Sequence, residues 1–200
     1  AYEAIEDQMA KLTEYTSTWL QYQALWDMEK AAVFEQLGDN VARWSALLVE
    51  LGSHRSTFDT DNTDEAFVSV DVNFERVQSM VSNKYDAWHK EILAEFCRRL
   101  GARMRDTYGE IAQARTQLEQ QTVDTASTTD AVSFITFVQE MTRQVAPWQQ
   151  LVDSFEEGQR LLQRHRYPLP NNWLDFANVE GEWSAFREVL GRKEEQIRTR

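Results

Sequence analysis

The sequence predicts an all-α protein, an elongated helical bundle segment with long antiparallel helices. Only seven glycines and three prolines occur in 200 residues, so residues that break helices are scarce. Apolar residues recur at steps of three and four along most of the chain, which is the spacing of one helix face. No run comes near the roughly 20 apolar residues of a membrane span, so we expect no membrane partner.

The first predicted helix covers about residues 4–29. Steps of seven residues keep side chains on one side of a helix, and the stretch TWLQYQALWD (18–27) continues such a series. We therefore interpret this aromatic stretch as a helix-packing face rather than a ligand-binding motif. The members of the series are Ile5, Leu12, Trp19 and Trp26.

Two shorter helices are predicted next, over 29–37 and 41–53. The first is expected to end at Gly38, because glycine readily adopts the left-handed backbone that closes a helix. The second is expected to begin after an N-cap at Asp39 or Asn40, since both side chains accept hydrogen bonds from the first helical turn.

Residues 56–73 break the helical pattern. The part DTDNTDE is acidic and resembles a turn, whereas FVSVDVN alternates apolar and polar residues as a strand does. A lone strand would have no partner here. We therefore expect an extended acidic connector over 59–72.

A long helix is predicted over 73–121. Its apolar residues follow one another at steps of three or four without a gap. Gly101 and Gly109 are points where it could bend or break, because glycine costs about 1 kcal/mol relative to alanine inside a helix.

Two further helices follow a loop at 123–132. Pro147 lies inside the first of them and is expected to kink it, because proline removes a backbone hydrogen bond. The stretch YPLPNNW (167–173) then interrupts the chain, and the last helix is predicted from near Asn178.

We expect one helical segment over 1–200, cut from a larger chain because it lacks an initiator methionine. Its subdivision would be N-terminal helices at 1–58, the acidic connector at 59–72 and a long-helix bundle at 73–200. The net charge is −12, with 15 acidic and 4 basic residues in 1–75. Such a chain is a poor candidate for nucleic-acid binding, which needs a basic face.

The sequence contains no motif for catalysis, for a cofactor or for a metal. Its glycines are too widely spaced for a phosphate-binding loop. Asp59, Asp61 and Asp64 do not fit a calcium loop, which needs glycine at its sixth position. Cys97 is the single cysteine and is expected to be a packed structural thiol. We expect no catalytic residue, cofactor or metal in this segment.

Two groups of residues remain as candidate contact sites. The stretch CRRLGARMR (97–105) holds a basic cluster, whose simpler interpretation is a solvated helix face and whose alternative is a contact patch for an acidic partner. It consists of Arg98, Arg99, Arg103 and Arg105. The second group is tryptophans on the predicted apolar stripes, for which helix packing is favoured over a ligand site. These are Trp19, Trp26, Trp88 and Trp183.

Five blocks of the sequence resemble the cytoplasmic dynein heavy chain family, and they occur in the same order. The resemblance covers essentially the whole chain and corresponds to the C-terminal part of the heavy-chain tail, just before the linker and motor. The blocks are WLQYQALWD (19–27), KYDAWHKEIL (84–93), VDTASTTDAVSFITFVQ (123–139), GQRLL (158–162) and NVEGEWSAF (178–186).

The resemblance implies a non-catalytic structural segment of a minus-end-directed microtubule motor in the cytoplasm, with the AAA+ ATPase modules downstream. Implied partners are neighbouring helical bundles of the same heavy chain, the second heavy chain, the intermediate and light intermediate chains, and dynactin or adaptors. The alternative function is a helical protein-interaction module that recruits a partner through an exposed charged patch.

Overall fold

The structure, a computed structural model, describes residues 2–20, 22–60, 66–67, 70–71, 74–121 and 128–199. The predicted all-α class is confirmed in this part of the chain. The helices are α1 (Tyr2–Leu20), α2 (Gln23–Asp27), α3 (Lys30–Leu37), α4 (Val41–Thr60), α5 (Phe74–Gln120), α6 (Thr128–Arg164) and α7 (Phe176–Arg198). Two short strands are β1 (Ala66–Phe67) and β2 (Val70–Asp71).

The chain divides into two compact units, 1–95 and 96–200. The division falls inside α5, which therefore contributes residues to both units. The predicted connector over 59–72 lies largely outside the described residues, so the subdivision at 58/59 and 72/73 stays a prediction. Among the residues that the structure describes, no helix combines the length and apolar character needed to cross a membrane.

The first predicted helix is divided in two. The helix α1 ends at Leu20, and α2 begins at Gln23. The carbonyl of Tyr22 accepts a hydrogen bond from the Leu25 amide at 3.0 Å, a tighter turn than that of an α-helix. The predicted continuous face over 4–29 is therefore wrong, because a break of this size leaves no trace in apolar spacing.

The predicted end of the third helix is confirmed. Gly38 has φ +54°, and its N–H bonds the Phe34 carbonyl at 3.1 Å, which closes α3. The N-cap of α4 is Asn40, whose side-chain oxygen accepts from the Arg43 amide at 3.3 Å. Helix α4 continues to Thr60, beyond the predicted end at residue 53.

The expectation of an extended connector without a partner strand is wrong for the residues that can be described. Strands β1 and β2 form an antiparallel pair in which Ala66 lies opposite Asp71 and Phe67 lies opposite Val70. The alternating stretch thus supplies residues to both strands of this antiparallel pair, so its partner strand is local.

The long predicted helix is confirmed as one continuous element of 47 residues, α5. Gly101 does not break it and makes room for a neighbour. A β-carbon at Gly101 would lie 2.9 Å from Cζ3 of Trp173, whereas nothing lies within 4 Å of one at Gly109. The first glycine is therefore a packing position, and the second is an exposed position in the same helix.

The last two helices pack as an antiparallel pair. Near one end, the side-chain oxygen of Gln159 in α6 accepts from the Phe176 amide at the start of α7, at 2.9 Å. Towards the other end, the Thr142 hydroxyl donates to Glu194 at 2.7 Å. Helix α6 continues through Pro147 from Thr128 to Arg164, so the proline does not end it.

Gly101→Ala and Gly109→Ala form a matched pair on α5. The first should lower the free energy of unfolding by about 1–3 kcal/mol, because the new methyl group meets the Trp173 ring. The second should raise it by up to about 1 kcal/mol, because alanine favours helix and nothing crowds it there. Urea unfolding followed by circular dichroism measures both, and changes of the same sign and size would contradict the packing role.

Candidate functional site

The first unit is organised around Trp88. Its indole is buried, and the Phe34 ring stacks against it with 5.7 Å between ring centroids. Phe34 also stacks on Trp44 at 5.6 Å, so the three rings form one cluster drawn from α3, α4 and α5. Lys30 Nζ lies 5.6 Å from the centre of the Trp88 ring and also pairs with Glu91.

An open groove of about 470 Å³ lies beside this cluster. Trp88 Nε1 is buried and has no hydrogen-bond partner in the part of the chain that the structure describes. A buried donor without an acceptor costs about 1–3 kcal/mol, so the indole N–H of Trp88 lowers the stability of this part of the first unit. Its lining is mostly apolar or aromatic: Tyr22, Ala24, Leu25, Met28, Leu47, Glu50, Leu51, His54, Tyr85 and Trp88.

Burial shifts the pKa of two side chains of α5 in this unit, Tyr85 and His89. The pKa of Tyr85 is raised because burial removes water from its phenolate, and Tyr22 adds to this electrostatically. The pKa of His89 is lowered by burial, with Asp86 acting in the opposite direction and Arg55 in the same direction. Both shifts favour the neutral side chain, because burial penalises the charged form.

The second unit is organised around Trp183. Its buried ring stacks on Phe186 at 5.5 Å and meets Trp148 edge-on at 6.2 Å. Its N–H donates to the Gln149 side-chain oxygen at 3.0 Å, so this indole has the partner that the Trp88 indole lacks. The Arg187 guanidinium covers the ring, with Cζ 5.7 Å from the centroid.

A buried glutamine joins the two ends of the turn between α6 and α7. The Gln159 side-chain oxygen accepts from Trp173 Nε1 at 3.0 Å, and its nitrogen donates to Asp175 at 3.3 Å. Asp175 in turn accepts from the Ala177 amide at 2.9 Å and caps α7. Neither Gln159, which is buried, nor Gln149, which is half-buried, could be found from the sequence, because apolar periodicity gives no signal for a polar residue inside a packed face.

Two polar contacts hold α7 alongside the C-terminal part of α5. Arg115 Nε donates to Glu182 at 2.6 Å and Arg115 also pairs with Glu119 at 3.0 Å, so its pKa is raised, chiefly by the bond to Glu182. Lys193 Nζ donates to the Gln121 carbonyl at 2.6 Å, just beyond the end of α5. These contacts fix the register of the two helices.

The predicted basic cluster falls on two sides of α5. At 100° per residue, Arg98 and Arg105 lie within about 20° of each other, and Arg99 and Arg103 within about 40°. The first pair is exposed and the second is half-buried. Arg98 and Arg105 are therefore the members that present charge to solvent.

The predicted tryptophan group does not form one cluster. Trp88 and Trp183 are each buried in an aromatic cluster of a different unit. Trp26 is 41% exposed, with Lys84 Nζ 6.0 Å from the centre of its ring. Trp26 lies on the short helix α2, separate from α1, and its role in helix packing stays a prediction. The Trp19 side chain lies outside the described residues.

Metal-ligand residues do not converge within the described ranges, where no group of three or more histidine, cysteine or acidic side chains could hold an ion. Asp61 and Asp64 lie outside those ranges, as does the side chain of Asp59. Cys97 is buried, and burial raises the pKa of its thiol. A raised pKa keeps the thiol protonated and unreactive.

No protein-family model matches the chain. Curated proteins described as "Dynein heavy chain, cytoplasmic" are similar to it over nearly its whole length. Identity is 42% over 199 residues for Drosophila melanogaster, covering 100% of this chain. It is 43% over 197 residues for Dictyostelium discoideum, covering 98%, and 39% over 199 residues for Caenorhabditis elegans, covering 100%. The chain spans 4% of the length of each of these relatives.

Trp88→Ala should lower the free energy of unfolding of the chain by about 3–5 kcal/mol, because it removes the centre of a buried aromatic cluster. Trp26→Ala is the matched control in the same unit and should cost about 1 kcal/mol, because its ring is already 41% exposed. Thermal melts measure both, and equal losses would show that Trp88 does not organise this core.

Proposed function

We propose, on the premise that this chain is homologous to one segment of the cytoplasmic dynein heavy chain, that it is a non-catalytic structural segment of the heavy-chain tail. It links the cargo-binding and dimerising tail to the AAA+ motor for minus-end-directed microtubule transport. It acts in the cytoplasm with the cytoskeleton and holds no cofactor, because ATP chemistry belongs to other parts of the heavy chain.

The main support for this proposal is that α5 contributes buried residues to the cores of both units. A helix with 1.5 Å rise per residue and 47 residues is roughly 70 Å long. Tension along the chain therefore passes through one continuous hydrogen-bonded helix, and each part of that helix is packed into the core of its own unit. Its buried residues include Val81, Tyr85, Trp88 and Ile92 in the first unit and Phe96, Leu100, Met104, Ile111 and Leu118 in the second.

Side-chain contacts in the second unit support the same role. The Trp173 ring rests against the backbone of α5 at Gly101, and its indole is fixed by Gln159. The Arg115–Glu182 pair joins α5 to α7 further along. Such contacts resist sliding of one helix past another, since buried hydrogen bonds must break before the register changes.

The proposed partners are those of a tail segment. They are neighbouring helical bundles of the same heavy chain, the second heavy chain, intermediate or light intermediate chains, and dynactin or adaptors. Nucleic acid and membrane are not among them, because residues 1–75 alone carry 15 acidic against 4 basic residues.

Ala94→Pro tests whether α5 transmits force. Ala94 is exposed on α5, so proline there breaks a backbone hydrogen bond without removing a core side chain. In the full heavy chain, the stall force in an optical trap should fall, while microtubule-stimulated ATP turnover in solution should be retained. The substitution interrupts the helix proposed to connect the tail to the motor, and it alters no residue of the motor itself.

Ala94→Gly is the matched control, because it costs about 1 kcal/mol but keeps the backbone hydrogen bond. It should leave the stall force near that of the parent protein. Circular dichroism of the 200-residue chain verifies that α5 is interrupted only by proline. An unchanged stall force with a broken α5 would overturn the proposed function.

The second candidate function is a protein-interaction module that recruits a partner through an exposed charged patch. The exposure of Arg98 and Arg105 on one side of α5 favours it. The acidic stretch 59–65, which offers charge of the opposite sign for such a contact, lies mostly outside the described residues. This candidate needs a separate acidic partner, whereas the structural role needs none.

Charge reversal at both exposed arginines, Arg98→Glu with Arg105→Glu, separates the two functions. If the chain recruits an acidic partner here, binding of accessory subunits to the full heavy chain should weaken at low salt more than at high salt. Arg76→Glu, at another exposed position of α5, is the control. Normal assembly of the complex with both arginines reversed would exclude this patch.

A further inference from the structure

The groove beside Trp88 has the size of a small-molecule site. Its volume is about 470 Å³, and ligand pockets usually measure roughly 300–1,000 Å³. Residues of α2, α4 and α5 line it, and every lining residue that the structure describes belongs to the first unit. The groove is therefore a feature of this unit by itself.

The indole N–H of Trp88 determines which kind of atom fits the groove. Trp88 lines the groove and is only 3% exposed, and its Nε1 has no acceptor among the described residues. Tryptophan donates one hydrogen bond and accepts none, so an acceptor atom alone can satisfy this group. In the second unit, by contrast, Trp183 Nε1 donates to Gln149 at 3.0 Å. A molecule with an acceptor oxygen would gain a hydrogen bond at Trp88 that these residues do not supply.

The charges around the groove disfavour an ionic ligand. Glu50 adds a carboxylate to the lining, with His54 Nε2 at 3.7 Å, and both side chains are more than half exposed. This carboxylate repels an anion at the mouth of the groove. The Lys30 ammonium lies 5.6 Å from the centre of the Trp88 ring and repels a cation that approaches the indole. A neutral molecule meets neither penalty.

The rest of the lining is largely apolar and partly accessible. Leu25, Met28 and Leu47 line the groove and are half-buried, so an apolar molecule there removes further apolar surface from water. Met28 has an unbranched, flexible side chain that adapts to irregular shapes. Trp88 Nε1 is covered by neighbouring atoms, so an acceptor reaches it after a small movement of side chains, which is common on binding.

We propose that this groove binds a small, uncharged, largely apolar molecule whose carbonyl oxygen accepts a hydrogen bond from Trp88 Nε1. The apolar part covers Leu25, Met28 and Leu47. An aliphatic side chain of a partner protein would cover the same surface, but it carries no acceptor for the indole N–H. The inference goes beyond the proposed function and does not depend on it.

Benzophenone and diphenylmethane are a matched pair of probes, because a carbonyl group in the first replaces a methylene in the second. Illuminated benzophenone adds across a nearby C–H bond, and mass spectrometry of the full heavy chain locates the adduct. The adduct on the peptide that contains Leu25 and Met28 should saturate with benzophenone concentration. Diphenylmethane should compete for the same site with an affinity roughly threefold to tenfold lower, as expected for the loss of one neutral hydrogen bond.

Two outcomes of the probe experiment would overturn the proposal. One is an adduct at this peptide that grows linearly with concentration, which indicates non-specific contact. The other is equal affinity for the two probes, which excludes the hydrogen bond. Ala24→Trp is a further check, because Ala24 is an exposed lining residue and the larger ring should fill the groove and abolish the saturable adduct.

Trp88→Phe tests the donor itself, because it removes the N–H and keeps an aromatic ring. It should raise the half-saturating concentration of benzophenone by roughly threefold to tenfold and leave the affinity for diphenylmethane unchanged. Trp183→Phe is the matched control in the second unit and should change neither value. Circular dichroism verifies that both variants fold. Equal benzophenone affinity of Trp88→Phe and the parent protein would overturn the role of the indole N–H.

These outcomes are separable from those of the proposed function. Failure of the probes to bind would overturn the ligand site and leave the force experiment on Ala94 untouched. An unchanged stall force would overturn the mechanical role, although the groove could still bind benzophenone.

Discussion

A helix as long as α5 needs its apolar face covered along its length, and in each unit side chains from other parts of the chain supply part of that cover. Isolated helices are marginal in water, so burial of the stripe stabilises α5 more than its intrinsic propensity does. In the first unit the cover includes an aromatic stack on Trp88 from two neighbouring helices. In the second it includes close contact at two glycines, Gly101 against Trp173 and Gly158 against Leu100.

Uncharged polar side chains set the alignment of α6 and α7. Gln149 and Gln159 each accept a hydrogen bond from an indole, and Gln159 also bonds the backbone at the start of α7. Glutamine satisfies these buried donors without the desolvation cost of a charge. These hydrogen bonds align the two helices without placing a charged side chain against the indole donors.

The apolar surfaces of the chain are of two kinds. Most of the apolar residues of α5, α6 and α7 are buried within their own unit, whereas Tyr2, Ile5, Met9 and Leu20 of α1 are exposed. Hydrophobic periodicity describes both in the same way, since it reports that a face is apolar and not what covers it.

The sequence by itself determined the helical class, the end of α3 at Gly38 and the extent of α5 to within one residue at each end, 73–121 against 74–120. These features depend on local backbone preferences and apolar spacing, which a short stretch of residues contains. Only the tertiary structure decided that Trp88 is buried while Trp26 is exposed, and that Gly101 is a packing position rather than a break in α5. Those outcomes depend on which surfaces meet, and residues distant in the sequence supply them.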